Sequence, residues 1–149
     1  MNNAEDVYEI LKNGGWYKDR KMDHDKIIKF INTEGYDVLD NVIAFLQEFL
    51  NLTVYFNNKR NGLKNDDFDF VLEKAAGLEV PERLRENYSP RIGKKLCIIG
   101  SAYRDHMVLM MAEDNSVYGA FDDFLCKIGD SGMDAIEAII FDYDFKEIP

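Results

Sequence analysis

A chain of 149 residues that is 46% hydrophobic and 13% aromatic can bury one substantial core, which excludes a disordered chain even at 31% charged residues. No apolar run approaches the roughly 18 residues that a membrane-spanning helix needs. The formal net charge of -10 is unevenly placed: residues 1–104 carry 17 Asp and Glu against 16 Lys and Arg, whereas residues 105–149 carry 11 against only Lys127 and Lys146. That asymmetry disfavours nucleic acid and anionic lipid, which need clustered cations. It suits a basic partner, or else a solvated face that keeps the chain soluble. The acidic start, Met1–Asp6, lacks the basic and apolar run of a signal peptide. Cytoplasmic residence is therefore the expectation.

Val7, Ile10 and Leu11 share one helical face, and Gly14-Gly15 is a stop. Trp16 follows, an aromatic expected to be largely buried as an anchor for the helix end, and a charged loop runs through Arg20 and Lys21. Asp23 is placed to cap a second helix with Ile27, Ile28 and Ile31, ending near Gly35. Val38, Val42, Phe45, Leu46 and Phe49 give a third amphipathic helix. Leu52–Phe56 then reads as a strand, Asn61-Gly62 as a hairpin turn, and the alternating Asp67–Phe70 as a second strand with one buried face. Val71–Ala76 reads as helical, and Pro81 suits the first turn of a short helix through Leu84 and Tyr88.

Leu96–Ile99, His106–Ala112 and Val117–Phe121 read as successive strands with Asp114-Asn115 turning between the last two, so antiparallel neighbours are expected. Met133–Phe141 closes the chain as a helix capped by Ser131, with Ile136, Ile139 and Ile140 inward. Helices first, then a strand meander and a final helix, give an α+β fold in a single domain over residues 1–149.

Chemistry-bearing patterns are sparse. His24 and His106 are the only histidines and no C-x-x-C or H-E-x-x-H occurs, so no metal site is expected. Cys97 and Cys126 lie in apolar, strand-like settings where thiols are small core residues. Neither G-x-G-x-x-G nor a P-loop is present, and Gly129–Gly132 lacks the G-x-S-x-G spacing. Asp66-Asp67-Phe68-Asp69 lacks the glycine and closing glutamate of a calcium loop and reads as hairpin carboxylates facing water. The expectation is no catalytic residue and no cofactor. The acid pairs Asp122-Asp123 and Asp142/Asp144 are the candidate partner-binding residues, since they cluster beside the last strand and at the end of the last helix.

The ordered pieces resemble a known family. Gly15-Trp16 with Arg20 before a helix is followed by Gly35-Tyr36 and a helix running into Phe49-Leu50-Asn51-Leu52-Thr53-Val54. Then come Phe68-Asp69-Phe70, Leu96-Cys97-Ile98-Ile99-Gly100 and Asp114–Ser116 before Val117-Tyr118-Gly119. Together they resemble the SUKH superfamily of bacterial toxin-immunity proteins, above all the subfamily that begins with a Gly-Trp-x-x-x-Arg segment, and more distantly the Smi/Knr cell-wall regulators. The resemblance implies a mixed, mostly antiparallel sheet flanked by helices and no enzymatic activity. It also implies a cytoplasmic antidote to a toxin domain encoded next door, commonly a nuclease or nucleic-acid deaminase.

Occlusion of a basic substrate cleft by the acidic third is the mechanism that the resemblance and the charge together imply. Two rivals predict different sites. A non-catalytic regulator on the same fold, binding a peptide or small molecule, requires a deep apolar pocket with a few polar groups. An acid–base enzyme requires two aspartates converging in a desolvated cleft.

Overall fold

The computed structural model describes residues 3–58, 60 and 62–149. Helix α1 (Asn3–Asn13) buries Val7 and Leu11 and stops at the glycine pair. A Cβ on Gly14 would lie 2.7 Å from the Thr53 carbonyl oxygen, so the glycine lets the helix end sit directly on the first strand. Helix α2 (His24–Thr33) begins at Asp23, whose carboxylate accepts the N–H groups of Asp25 and Lys26. That satisfies donors the first turn leaves unpaired. Helix α3 (Asp40–Phe49) buries Val42, Ile43, Leu46 and Phe49. Val38, expected on its apolar face, precedes the helix and is exposed, because the chain is still extended at Leu39.

Among the described residues, seven strands form one sheet in chain order, antiparallel at every pairing, so no parallel pair makes it mixed. They are β1 (Thr53–Phe56), β2 (Asp66–Asp69), β3 (Leu96–Ala102), β4 (Met107–Ala112), β5 (Val117–Phe121), β6 (Phe124–Gly129) and β7 (Lys146–Glu147). Adjacency of β3, β4 and β5 is as their short connections require. His106, expected to open β4, lies in the turn before it, its Nδ1 2.7 Å from the Tyr103 carbonyl oxygen. Of the expected Asn61-Gly62 turn, Asn61 lies outside the described residues.

Strand β6 goes beyond what the sequence patterning predicts. Asp122 and Asp123 form the two-residue turn of a hairpin in which Phe121 faces Phe124, and Asp122 takes a positive φ of 50°. Aspartate tolerates that left-handed conformation. Strand β7 is a two-residue exposed edge without periodicity of its own.

Every residue of β3 and β4 is buried, because helices cover both faces. Asp69, Ser101 and Val108 are neighbours on one face, the side on which helix α4 (Leu72–Leu78) lies through Lys74. Met111, of opposite parity to Val108 on β4, lines one cavity together with Phe45 and Phe49 of α3 and Met133 of helix α7 (Gly132–Ile140). Between α4 and β3 the chain runs through α5 (Pro81–Arg83), a π-turn (Leu84–Tyr88) and α6 (Ser89–Ile92), with Leu84 and Tyr88 buried. Gly100 marks the tightest approach in the sheet: a Cβ there would fall 1.9 Å from the Asp69 carbonyl oxygen, at the bulge where β3 shifts register.

Candidate functional site

The structure places the four candidate aspartates in two pairs with different partners: Asp123 meets Arg83, whereas Asp142 and Asp144 both meet Arg60. Asp123 Oδ1 accepts from Arg83 Nη2 at 3.2 Å, and the Asp122 carbonyl accepts from the buried Tyr88 hydroxyl at 2.6 Å. Asp142 Oδ1 lies 2.7 Å from Arg60 Nε and Asp144 Oδ1 3.1 Å from Arg60 Nη2. The carboxylates of Asp123 and Asp144 stand almost wholly in solvent, whereas that of Asp142 is tucked against the β1–β2 hairpin by Arg60. Around Arg60 two carboxylates face one arginine, and Arg83 is shared between Asp123 and Glu79, so carboxylates outnumber the cation at both places.

The carboxylates expected to face water from the β1–β2 hairpin do not all do so. Asp66 and Asp69 are buried. Asp66 accepts from Asn58 Nδ2 at 2.7 Å and from the Asp67 amide at 2.9 Å. Asp69 accepts from the Val71 amide, and its other oxygen meets Lys74 Nζ at 2.9 Å and the Ser101 hydroxyl at 2.8 Å. The physical reason is that β2 is an interior strand, so its polar side chains must find partners inside.

Serine, lysine and aspartate so close together resemble a nucleophile and its base. Lys74 is nevertheless held above its usual range by its hydrogen bonds to Asp105 and Asp69, so it stays an ammonium ion with no lone pair for a proton. Ser101 is completely buried. The cluster ties α4 to the sheet. The thiols are equally removed from reaction: burial pushes Cys97 up to about 12 and Cys126 up to about 11.

A cleft of about 820 Å³ opens between α1, the segment after it and α3. Trp16 and Tyr8 line it as a tilted ring pair, centroids 4.9 Å apart. Trp16, expected to be largely buried, is only partly so: it packs against the core, yet it also borders the cleft. Its Nε1–H donates to Glu48 Oε2 at 2.9 Å. Four residues on, Arg20 donates from Nη1 and Nη2 to the carbonyl oxygens of Glu48 and Leu50, each at 2.6 Å. Those carbonyls belong to the C-terminal end of α3, which has no basic residue in its own last turn. Arg20 supplies from outside both the donors and the positive charge that a helix C-terminus favours. Burial lowers the guanidinium's affinity for its proton, with Tyr17 and Glu48 acting the other way.

The Gly-Trp-x-x-x-Arg segment is thus a clamp on the end of α3. The spacing of Trp16 and Arg20 was visible in the sequence; Glu48, 32 positions from Trp16, was not. Carboxylates outnumber amines around the opening, with Asp6, Glu9, Asp19 and Glu48 against Lys12 and Lys18 besides the clamped Arg20.

Among the described residues no group of three or more His, Cys, Asp or Glu side chains is placed to hold a metal ion, and no helix is long and apolar enough to cross a membrane. No curated protein and no solved structure matches the chain. The model of the SUKH-3 immunity protein family matches residues 3–142. With nearly the whole chain inside that match, and with the tryptophan–arginine clamp and antiparallel sheet in place, this chain belongs to the SUKH-3 immunity protein family.

Proposed function

We propose that this chain binds a cognate toxin with a basic surface, a nuclease or a nucleic-acid deaminase, and neutralises it by covering the substrate cleft, without catalysing a reaction itself. The cytoplasm, where such a toxin meets its nucleic acid, is the proposed place of action. Family membership supplies the toxin-binding role. The observation that carries the finer reading is the charge split, 11 carboxylates against two lysines after residue 104. Enzymes that grip phosphates present cationic grooves, and a carboxylate surface occupies the same groove while accelerating encounter. Asp122, Asp123, Asp142 and Asp144 are the proposed contact residues, supported by the solvent exposure of Asp123 and Asp144 and by the excess of carboxylates over arginine around Arg60 and Arg83.

The test is to read the neighbouring open reading frames for a large secreted protein with a variable C-terminal domain, and to express that domain alone and together with this chain in one host. Co-expression is expected to restore growth, and a purified, catalytically inert form of that domain to form a stoichiometric complex in which nucleic acid no longer binds. A complex that still binds and processes nucleic acid would refute occlusion, and absence of any complex would refute the partner.

A further inference from the structure

We propose that the cleft at Trp16 receives an arginine side chain of the toxin, its guanidinium stacked on the Trp16 and Tyr8 rings and bonded to the second carboxylate oxygen of Glu48. This rests on the reading that the partner is a basic toxin, and adds where and how it is gripped. Trp16 and Tyr8 form a ready aromatic platform, 4.9 Å between centroids and inclined by 42°, partly buried and bordering a cleft of about 820 Å³. Glu48 stands at its edge with one oxygen holding the indole N–H at 2.9 Å; among the described residues no donor meets the other. Arg20 does not occupy that oxygen, because its two terminal nitrogens point at the Glu48 and Leu50 carbonyls.

The nearest amine on α1 is also engaged, Lys12 lying 3.3 Å from Glu9. An occupant that satisfies both the ring faces and the open carboxylate oxygen must be flat, cationic and rich in donors. Guanidinium meets all three conditions, and ammonium lacks the planar stack and fork. Tryptophan, tyrosine and arginine are also the side chains in which interface binding energy concentrates. A phosphate-gripping enzyme exposes such arginines in its groove. The clamp holds Trp16 and Glu48 in place before binding, so little freedom is lost on docking.

Trp16 is the only tryptophan of the chain, so incorporation of fluorotryptophan labels this cleft alone. The probe is the catalytically inert C-terminal toxin domain, unlabelled, added to the full chain. The Trp16 fluorine resonance is expected to shift with saturation, and Glu48→Gln to weaken binding by about tenfold or more, as loss of a charge-assisted contact does. Glu48→Gln retains an amide oxygen for the indole N–H, and an unchanged melting curve shows that the clamp survives. Trp16→Phe, which preserves a ring but narrows the platform, is expected to weaken binding in the same direction. Wild-type binding with an unmoved resonance and undiminished affinity for Glu48→Gln would overturn this inference and leave the proposed function standing. Failure of the wild type to bind the domain at all would overturn both.

Discussion

Single side chains in this protein carry two duties that separate under mutation. Trp16 packs against the core and also borders the cleft. Trp16→Ala is therefore expected to cost about 3 kcal/mol, as large aromatic truncations do, and Trp16→Phe clearly less. Urea titration followed by far-ultraviolet circular dichroism checks this, and a Trp16→Ala variant as stable as wild type would remove the anchoring role. The thiols give a second expectation. Burial raises Cys97 to about 12 and Cys126 to about 11, above the 9.0 of a free thiol, so the folded state holds these protons more tightly than the unfolded one. Their contribution is fully present below pH 9.0 and is lost as pH rises through the folded values. Both thiols should resist a thiol-reactive dye at about pH 8 until the chain is unfolded, and stability should fall through the alkaline range.

At the scale of elements, the structure is held by ties between segments distant in sequence. The C-terminus of α3 is completed by Arg20, 28 and 30 positions upstream of the carbonyls it binds. Arg20→Met keeps much of the side chain's length but removes the fork, leaving two carbonyls short of donors; about 2 kcal/mol of destabilisation is expected. Arg20→Lys should restore only part of it, since one ammonium does not match two carbonyls as a planar fork does. Chemical denaturation of the three proteins measures this, and equal stability of all three would show the clamp to be dispensable. The α4 tie is of the same kind: Lys74 joins the fully buried Asp69 to Asp105 in the β3–β4 turn, so helix, strand and turn close on one ammonium ion.

For the whole molecule, the proposed binding rests on a field set by many carboxylates together. The excess charge lies after residue 104, and exposed charges act at range over about 8 Å at physiological salt. If that field meets a basic toxin, the association rate should drop steeply as salt rises while dissociation changes less. Replacing Asp122, Asp123, Asp142 and Asp144 by Asn should slow association and weaken neutralisation. The exposed Asp123 and Asp144 should cost the fold little on replacement, because exposed ion pairs contribute modestly. Asp142→Asn, in contrast, removes a largely buried partner of Arg60 and is expected to lower the melting temperature somewhat. Stopped-flow association at several salt concentrations, with melting curves of the same variant, reads both arms. Binding indifferent to salt and to all four substitutions would transfer the interface to an apolar or aromatic surface.

The sequence by itself determined the local elements: the helix faces of α1, α2 and α7, the caps Asp23 and Ser131, and the consecutive strands β3 to β5. Periodicity, caps and turn residues act over a few positions, so they are written in a few positions. It also carried the charge split and the Trp16–Arg20 spacing that bear on function. Only the tertiary structure decided which polar groups are buried and which meet. Asp66 and Asp69 look like solvated hairpin acids until the fold buries them, Asp69 against Ser101 of β3 and Lys74 of α4, and Asp66 against Asn58. Asp122-Asp123 reads as an acidic patch until β6 turns back on β5 and makes it a hairpin turn. The cleft joins Tyr8, Trp16 and Glu48 from three segments, and no local pattern encodes such a meeting, because burial and contact are set by the packing of elements far apart in the chain.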